Sequence, residues 1–204
     1  MLQLHTVQSD TLELLKVLMK IPELGDFNLA GGTSMALQVG HRMSYDLDFF
    51  GNRPFTPEEI TDLVYPVGDI EIAHKTRNIL TININGIKVD FVNYRYPLLK
   101  PIKILMEIRL VDLSDIAAMK ISAVTGRGRK RDFIDLYFLL QKYSFVEIMD
   151  FYNQKYSDGN EWLVARSITY FDDAESDADT KLFKNADWKT VKKTISNEAL
   201  KYFK

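Results

Sequence analysis

Asp46 and Asp48 stand two residues apart, downstream of the glycine pair Gly31-Gly32 and Thr33. Side chains alternate along a strand, so a strand over 45–50 projects both carboxylates from one face. Leu47 and Phe49 then point the other way, into a core. Two neighbouring carboxylates repel, and burying either is costly without compensation. A divalent cation is the usual compensation, and Mg²⁺ suits one or two carboxylates completed by phosphates. Gly31 and Gly32 let backbone N–H groups approach an anion, and the residues after them begin a helix whose N-terminus attracts negative charge. With Thr33 they form a candidate cradle for the phosphates of a nucleoside triphosphate. The plainer alternative is a glycine turn followed by a polar strand face.

A third carboxylate, Asp90, interrupts the apolar run IKVDFV. Asn85-Gly86 is a strong two-residue hairpin signal. It pairs Ile84 with Ile87, Ile82 with Val89 and Thr81 with Asp90. Leu80, Ile82, Ile84, Ile87, Val89 and Phe91 then share an apolar face and Asp90 lies on the other. Asp90 is either an incidental surface aspartate or a third acid beside Asp46 and Asp48. Further on, Lys120 falls on the apolar stripe of a helix over 115–125, in line with Ile116 and Ala123. It is either a lysine with a buried stem and a solvated head or a cation for phosphates and an attacking hydroxyl. The run GRGRKR follows, with Arg127, Arg129, Lys130 and Arg131 as a solvated loop or a path for a polyanionic acceptor. Asp132 and Asp135 open the next helix three residues apart, placed for a shared structural salt bridge or a site.

Helices are expected from about Ser9 to Lys20, over 34–39 with Gly40 as C-cap, from Thr56-Pro57 onward, over 145–155 and over 187–203. Strands are expected at 27–30, 45–50, 70–75, 79–84 and 87–93, with a linker at 110–114. The segment 158–187 carries eight acids against three bases, Arg166, Lys181 and Lys184, and reads as a solvated acidic surface.

The chain has 204 residues, 46% hydrophobic and 26% charged, enough for a substantial core. A net charge of −2 gives no global attraction to nucleic acid, so any such contact depends on a local patch. The absence of cysteine excludes disulfides, thiolate metal sites and a cysteine nucleophile, and fits a reducing cytoplasm. No stretch reaches the roughly 20 apolar residues of a membrane span, and MLQLHTVQSD has no leader-like pattern.

The string GGT, a short helix, then GHRMSYDLDFF resembles the first motif of the AbiEii/AbiGii toxin family, and more broadly the polymerase-beta-like nucleotidyltransferases. The block LSDIAAMKISAVTGRGRKRDFIDLYFLL resembles a second motif of that family, and 165–175 resembles a third. The resemblance implies an α+β fold. A catalytic lobe over 1–110 would hold a small mixed or antiparallel sheet flanked by helices. A helical lobe over 111–204 would complete the cleft. It implies metal-dependent transfer of a nucleoside monophosphate from a triphosphate to an acceptor hydroxyl, in RNA, often tRNA, by the toxin of a toxin–antitoxin pair with a cognate antitoxin. Asp46, Asp48 and Asp90 would be metal ligands and Gly31, Gly32, Thr33, Arg42 and Lys120 nucleotide contacts. Lys120 and Asp132 would join the catalytic set, with Asp135 beside them. Arg127, Arg129, Lys130 and Arg131 would meet the acceptor. Two alternatives stay open: a small-molecule nucleotidyltransferase of the aminoglycoside-modifying kind, and a catalytically silent nucleotide- or partner-binding module.

Overall fold

The structure is a computed structural model describing residues 1–204. It divides into two compact units, residues 1–97 with 101–111, and residues 98–100 with 112–204.

In the first unit, α1 (Ser9–Met19) buries Leu14, Leu15, Leu18 and Met19. β1 (Asn28–Leu29) leads directly into α2 (Gly31–Val39), which ends at Gly40 with φ 74°. The helix therefore begins at the glycine pair instead of after it. β2 (Leu47–Gly51) starts one residue beyond Asp46. α3 (Pro57–Val64) is capped by the Thr56 hydroxyl, which accepts from the Glu59 amide, as the Thr-Pro signal predicts. β3 (Ile70–Lys75), β4 (Ile79–Ile84) and β5 (Ile87–Asn93) form the meander. The register is the one the Asn-Gly turn dictates: Ile84 with Ile87, Ile82 with Val89, Thr81 with Asp90. Two short strands, β6 (Lys103–Leu105) and β7 (Ile108–Leu110), were not expected. Each has three residues, and their turn is made by Met106 and Glu107, both at positive φ, so no glycine or asparagine announces it.

The strands make one mixed sheet in the order β3-β4-β5-β2-β1-β7-β6. β2 runs parallel to β5 and β1 parallel to β7; the other pairs are antiparallel. Burial alternates along β2, where Leu47 and Phe49 are buried and Asp48 and Phe50 are half-exposed. Phe49 stacks on Phe91 at 5.2 Å, and Phe27 meets Phe91 edge-on. These apolar contacts fix which face of each strand turns outward. Arg109 on β7 donates to the carbonyls of Met19, Leu24 and Phe27, tying β7 to the end of α1 and to the approach to β1.

The second unit is helical: α4 (Leu113–Gly126), α5 (Lys130–Leu139), α6 (Phe145–Lys155), α7 (Glu161–Ser167), α8 (Asp172–Glu175) and α9 (Trp188–Tyr202). α4 is capped by Asp112, whose carboxylate accepts from the Ser114 amide and hydroxyl. α6 opens with a capping box made by Ser144 and Glu147. α4 packs against α5, α6 and α7, and α9 against α5 and α6. Ile116, Ile121, Phe133, Leu136, Ile148 and Ile195 lie in the core. No helix is long and apolar enough to cross a membrane.

Candidate active site

Strand register brings two of the three expected carboxylates together. Asp48 and Asp90 are register partners on the parallel pair β2–β5, between Leu47–Val89 and Phe49–Phe91. Their neighbours point into the core, so both carboxylates stand on the half-exposed face. Asp46 precedes the strand and is also half-exposed. Its carbonyl accepts the Thr33 hydroxyl. Asp90 has two partners of its own. Thr81, across the β4–β5 ladder, donates to Oδ1 at 2.5 Å, and Lys88, two residues earlier on β5, holds Oδ2. Lys88 was not foreseen as part of the site, although its spacing from Asp90 places the two on one strand face.

The glycine loop lies against these groups. Gly31 has φ 62°, a left-handed conformation that costs an L-residue roughly 1–2 kcal/mol. A Cβ on Gly31 would come within 2.1 Å of Asp48 Oδ2, and one on Gly32 within 2.5 Å of Arg42 Nη2. The first two residues of α2 thus lie directly against the Asp48 carboxylate and the Arg42 guanidinium. Arg42 is buried, and its Nη1 donates to the Met43 carbonyl. Thr33 is buried as well, and its hydroxyl also contacts Ser44 Oγ at 2.8 Å. That hydroxyl ties α2 to the 44–46 loop, which leaves backbone N–H groups as the loop's donors toward an anion.

Gly31→Ala is expected to lower Tm by roughly 2–8 °C from the left-handed φ alone, and to displace the Asp48 side chain. Transfer activity should fall further than stability does. A thermal melt run beside a transfer assay checks this; full activity would show that the loop does not set the carboxylate's position.

No group of three or more His, Cys, Asp or Glu side chains is gathered closely enough to hold a metal unaided. The donor set fits Mg²⁺ nonetheless, because that ion is typically held by one or two carboxylates with substrate phosphates and water completing the shell. Asp48 and Asp90 are two carboxylates set side by side by the β2–β5 register.

In the second unit, Lys120 on α4 is only 5% exposed. It does not extend its head to water along the apolar surface. Its Nζ lies 2.8 Å from Asp132 Oδ1 and 2.6 Å from Asp135 Oδ2, both on α5 and both fully buried. Arg127 closes a fork on Asp132, Nε to Oδ2 at 2.9 Å and Nη2 to Oδ1 at 3.1 Å. Burial works to raise the Asp132 pKa, but Lys120, together with Arg127, outweighs it and holds the carboxyl below its usual range. The two acids bracket a lysine from the neighbouring helix, so the Lys120–Asp132–Asp135 set is a buried ion cluster. Asp115 and Lys155 form a second one, fully buried at 2.6 Å, with the Leu99 and Lys100 amides donating to the same carboxylate.

The acidic segment is not simply a solvated surface. Asp177 pairs with Arg129 at 2.7 Å and accepts the Lys130 amide, while the Lys130 ammonium reaches Asp179 at 3.0 Å and lies over the Trp188 ring. Lys130 is the buried first residue of α5. Arg127 and Arg129 keep more than half of their side chains in water despite these pairs.

Comparison with known proteins agrees with this architecture. Over residues 13–108 and 82–203 the sequence matches the family described as nucleotidyl transferase AbiEii toxin, type IV toxin–antitoxin system. An uncharacterized protein of Aquifex aeolicus (strain VF5) is 35% identical over 171 residues, covering 79% of this chain and 83% of that protein. Among solved structures, MenT4, a nucleotidyltransferase toxin of Mycobacterium tuberculosis H37Rv, superposes with a TM-score of 0.62 at 14% identity, covering 95% of this chain and 86% of that one. JHP933 from Helicobacter pylori gives 0.58 at 17% identity, covering 95% and 92%. At these identities the structures speak for the fold, and the sequence match speaks for the family: the chain belongs to the AbiEii nucleotidyltransferase toxins of type IV toxin–antitoxin systems.

Proposed function

We propose that this nucleotidyltransferase transfers a nucleoside monophosphate from a nucleoside triphosphate to a hydroxyl of an RNA acceptor, tRNA being the first candidate. The acceptor oxygen bonds to the α-phosphorus, the bond to the bridging oxygen breaks, and pyrophosphate leaves. The observation that carries the reading is the register of Asp48 beside Asp90, with Gly31 held against the Asp48 carboxylate. Asp48 and Asp90, with Asp46, would hold Mg²⁺. The ion, when bound, supplies charge neutralisation on the phosphates. The backbone N–H groups of Gly31, Gly32 and Thr33, at the first turn of α2, would orient the β- and γ-phosphates. Arg42, behind Gly32, adds positive charge to that turn. A carboxylate near the acceptor hydroxyl would take its proton.

Lys120 and Asp132 enter this reading through the family resemblance. Their burial supports a role in shaping the second unit. Arg129 and Arg131 are proposed to meet the acceptor, with Arg127 serving Asp132 as well. Membership of a toxin–antitoxin family points to a cognate antitoxin as partner.

The test is incubation with each labelled triphosphate, Mg²⁺ and total RNA, followed by a gel. Label entering one RNA size class with one nucleotide is the expected result. Acceptor affinity should fall steeply with salt, and Arg129→Gln with Arg131→Gln should reduce the slope of log K against log salt by about 2. Nucleotide binding should be little changed. The pairing of Arg129 and Lys130 with Asp177 and Asp179 favours one rival reading, a small-molecule acceptor. Unchanged activity and salt response in the double variant would select it.

A further inference from the structure

The two anionic strand partners Asp48 and Asp90 lie side by side with a cation of the chain's own already on one of them. Lys88 and Asp90 are i and i+2 on β5, so both stand on the face that carries Asp48. The Lys88 ammonium holds Asp90 Oδ2, and the Thr81 hydroxyl holds Oδ1. Both oxygens of Asp90 are therefore engaged by protein donors. The lysine side chain is 42% exposed and the aspartate 17%. The lysine side chain thus stands partly in water, outside the buried core, and can leave Asp90 without disturbing it. An ammonium and a divalent cation on the same carboxylate oxygen repel one another and compete for its charge.

We propose that Lys88 is a resident counter-ion of the metal site. It occupies Asp90 while no metal is bound and yields Oδ2 when a divalent cation arrives with the triphosphate, then pairs with a phosphate oxygen. This rests on the assignment of Asp48 and Asp90 as metal ligands. Like charges directly opposite one another destabilise a sheet, so the lysine also relieves the repulsion between Asp48 and Asp90. The consequence is an order of binding. Metal alone competes with a tethered cation. Metal presented on a triphosphate does not, because the phosphates give the displaced ammonium a new partner. Both carboxylates then serve the nucleotide complex in preference to free metal.

The experiment is a Mn²⁺ titration of the full chain, followed by electron paramagnetic resonance, for wild type, Lys88→Met, Lys88→Arg and Asp48→Asn. Each is run with and without a non-hydrolysable triphosphate. Lys88→Met should bind Mn²⁺ alone roughly fivefold more tightly than wild type, the upper end for release of a half-exposed ion pair. It should bind the triphosphate more weakly. Lys88→Arg keeps the charge and should restore the wild-type order. Methionine preserves the stem, so circular dichroism should be unaltered. If Lys88→Met binds Mn²⁺ no more tightly while Asp48→Asn loses the metal, the counter-ion is refuted and the metal site stands. If no variant, nor wild type, binds Mn²⁺ with or without triphosphate, the metal-site assignment falls and the counter-ion with it.

Discussion

Lys120→Met should destabilise the second unit by about 3–5 kcal/mol, the usual cost of removing one partner from a buried ion pair. The substitution keeps the aliphatic volume and the helix propensity of α4, so neither packing nor backbone accounts for the loss. What is lost is the cation 2.6 Å from Asp135 and one of the two cations on Asp132. Urea unfolding measures the effect directly. The pH dependence gives a second reading. The folded pKa of Asp132 is depressed, so its contribution is present above the unfolded carboxylate pKa of about 4 and is lost as pH falls through the lower folded value. Wild type should therefore lose stability in acid, and Lys120→Met should show a shallower acid limb. Adding Asp132→Asn and Asp135→Asn to Lys120→Met should recover much of the loss, because the uncompensated buried charges are then gone. If Lys120→Met is as stable as wild type yet inactive, Lys120 acts on substrate and its burial is incidental to stability.

The sheet was readable in the sequence where a local rule decides. The Asn85-Gly86 turn sets one register, and alternation through LDFF and KVDFV decides which side chains face in. Together they place Asp90 on the polar face. What the sequence withholds is which strands lie side by side. The parallel pairing of β2 with β5, which puts Asp48 against Asp90, spans the whole meander and leaves no local trace. The same holds for β6 and β7, whose turn uses Met106 and Glu107 at positive φ. The glycine pair was legible as a turn, but not the reason for it. Gly31 is required by its φ and by the Asp48 side chain lying where a Cβ would stand. Lys120 was visible as an anomaly on an apolar stripe. Its explanation lies on another helix twelve and fifteen residues away. The run GRGRKR was legible as charge, while its partners Asp177 and Asp179 are remote in sequence and belong to a stretch that alone reads as solvent-facing.

Asp48→Asn should reduce nucleotidyl transfer by at least about 10³-fold, since a metal ligand contributes several kcal/mol of transition-state stabilisation. The protein should remain folded. Asparagine is nearly isosteric with aspartate, and Asp48 is bordered by Leu47 and Phe49, whose packing is untouched. The stability change is the more discriminating measurement. Asp48 and Asp90 are directly opposite one another, and like charges so placed are destabilising. Lys88 on Asp90 offsets part of that repulsion, so removing one charge should leave Tm unchanged or raise it only slightly in the absence of metal. Added Mg²⁺ and triphosphate should raise the wild-type Tm by mass action and leave the variant where it was. Asp46→Asn should reduce transfer without the Tm gain, because Asp46 lies ahead of β2 and so outside the Asp48–Asp90 strand pair. The two variants thus separate repulsion across the β2–β5 pair from metal ligation. Unfolding of Asp48→Asn would show that the carboxylate is a structural element of the Gly31 turn, and the metal would then have to be sought elsewhere.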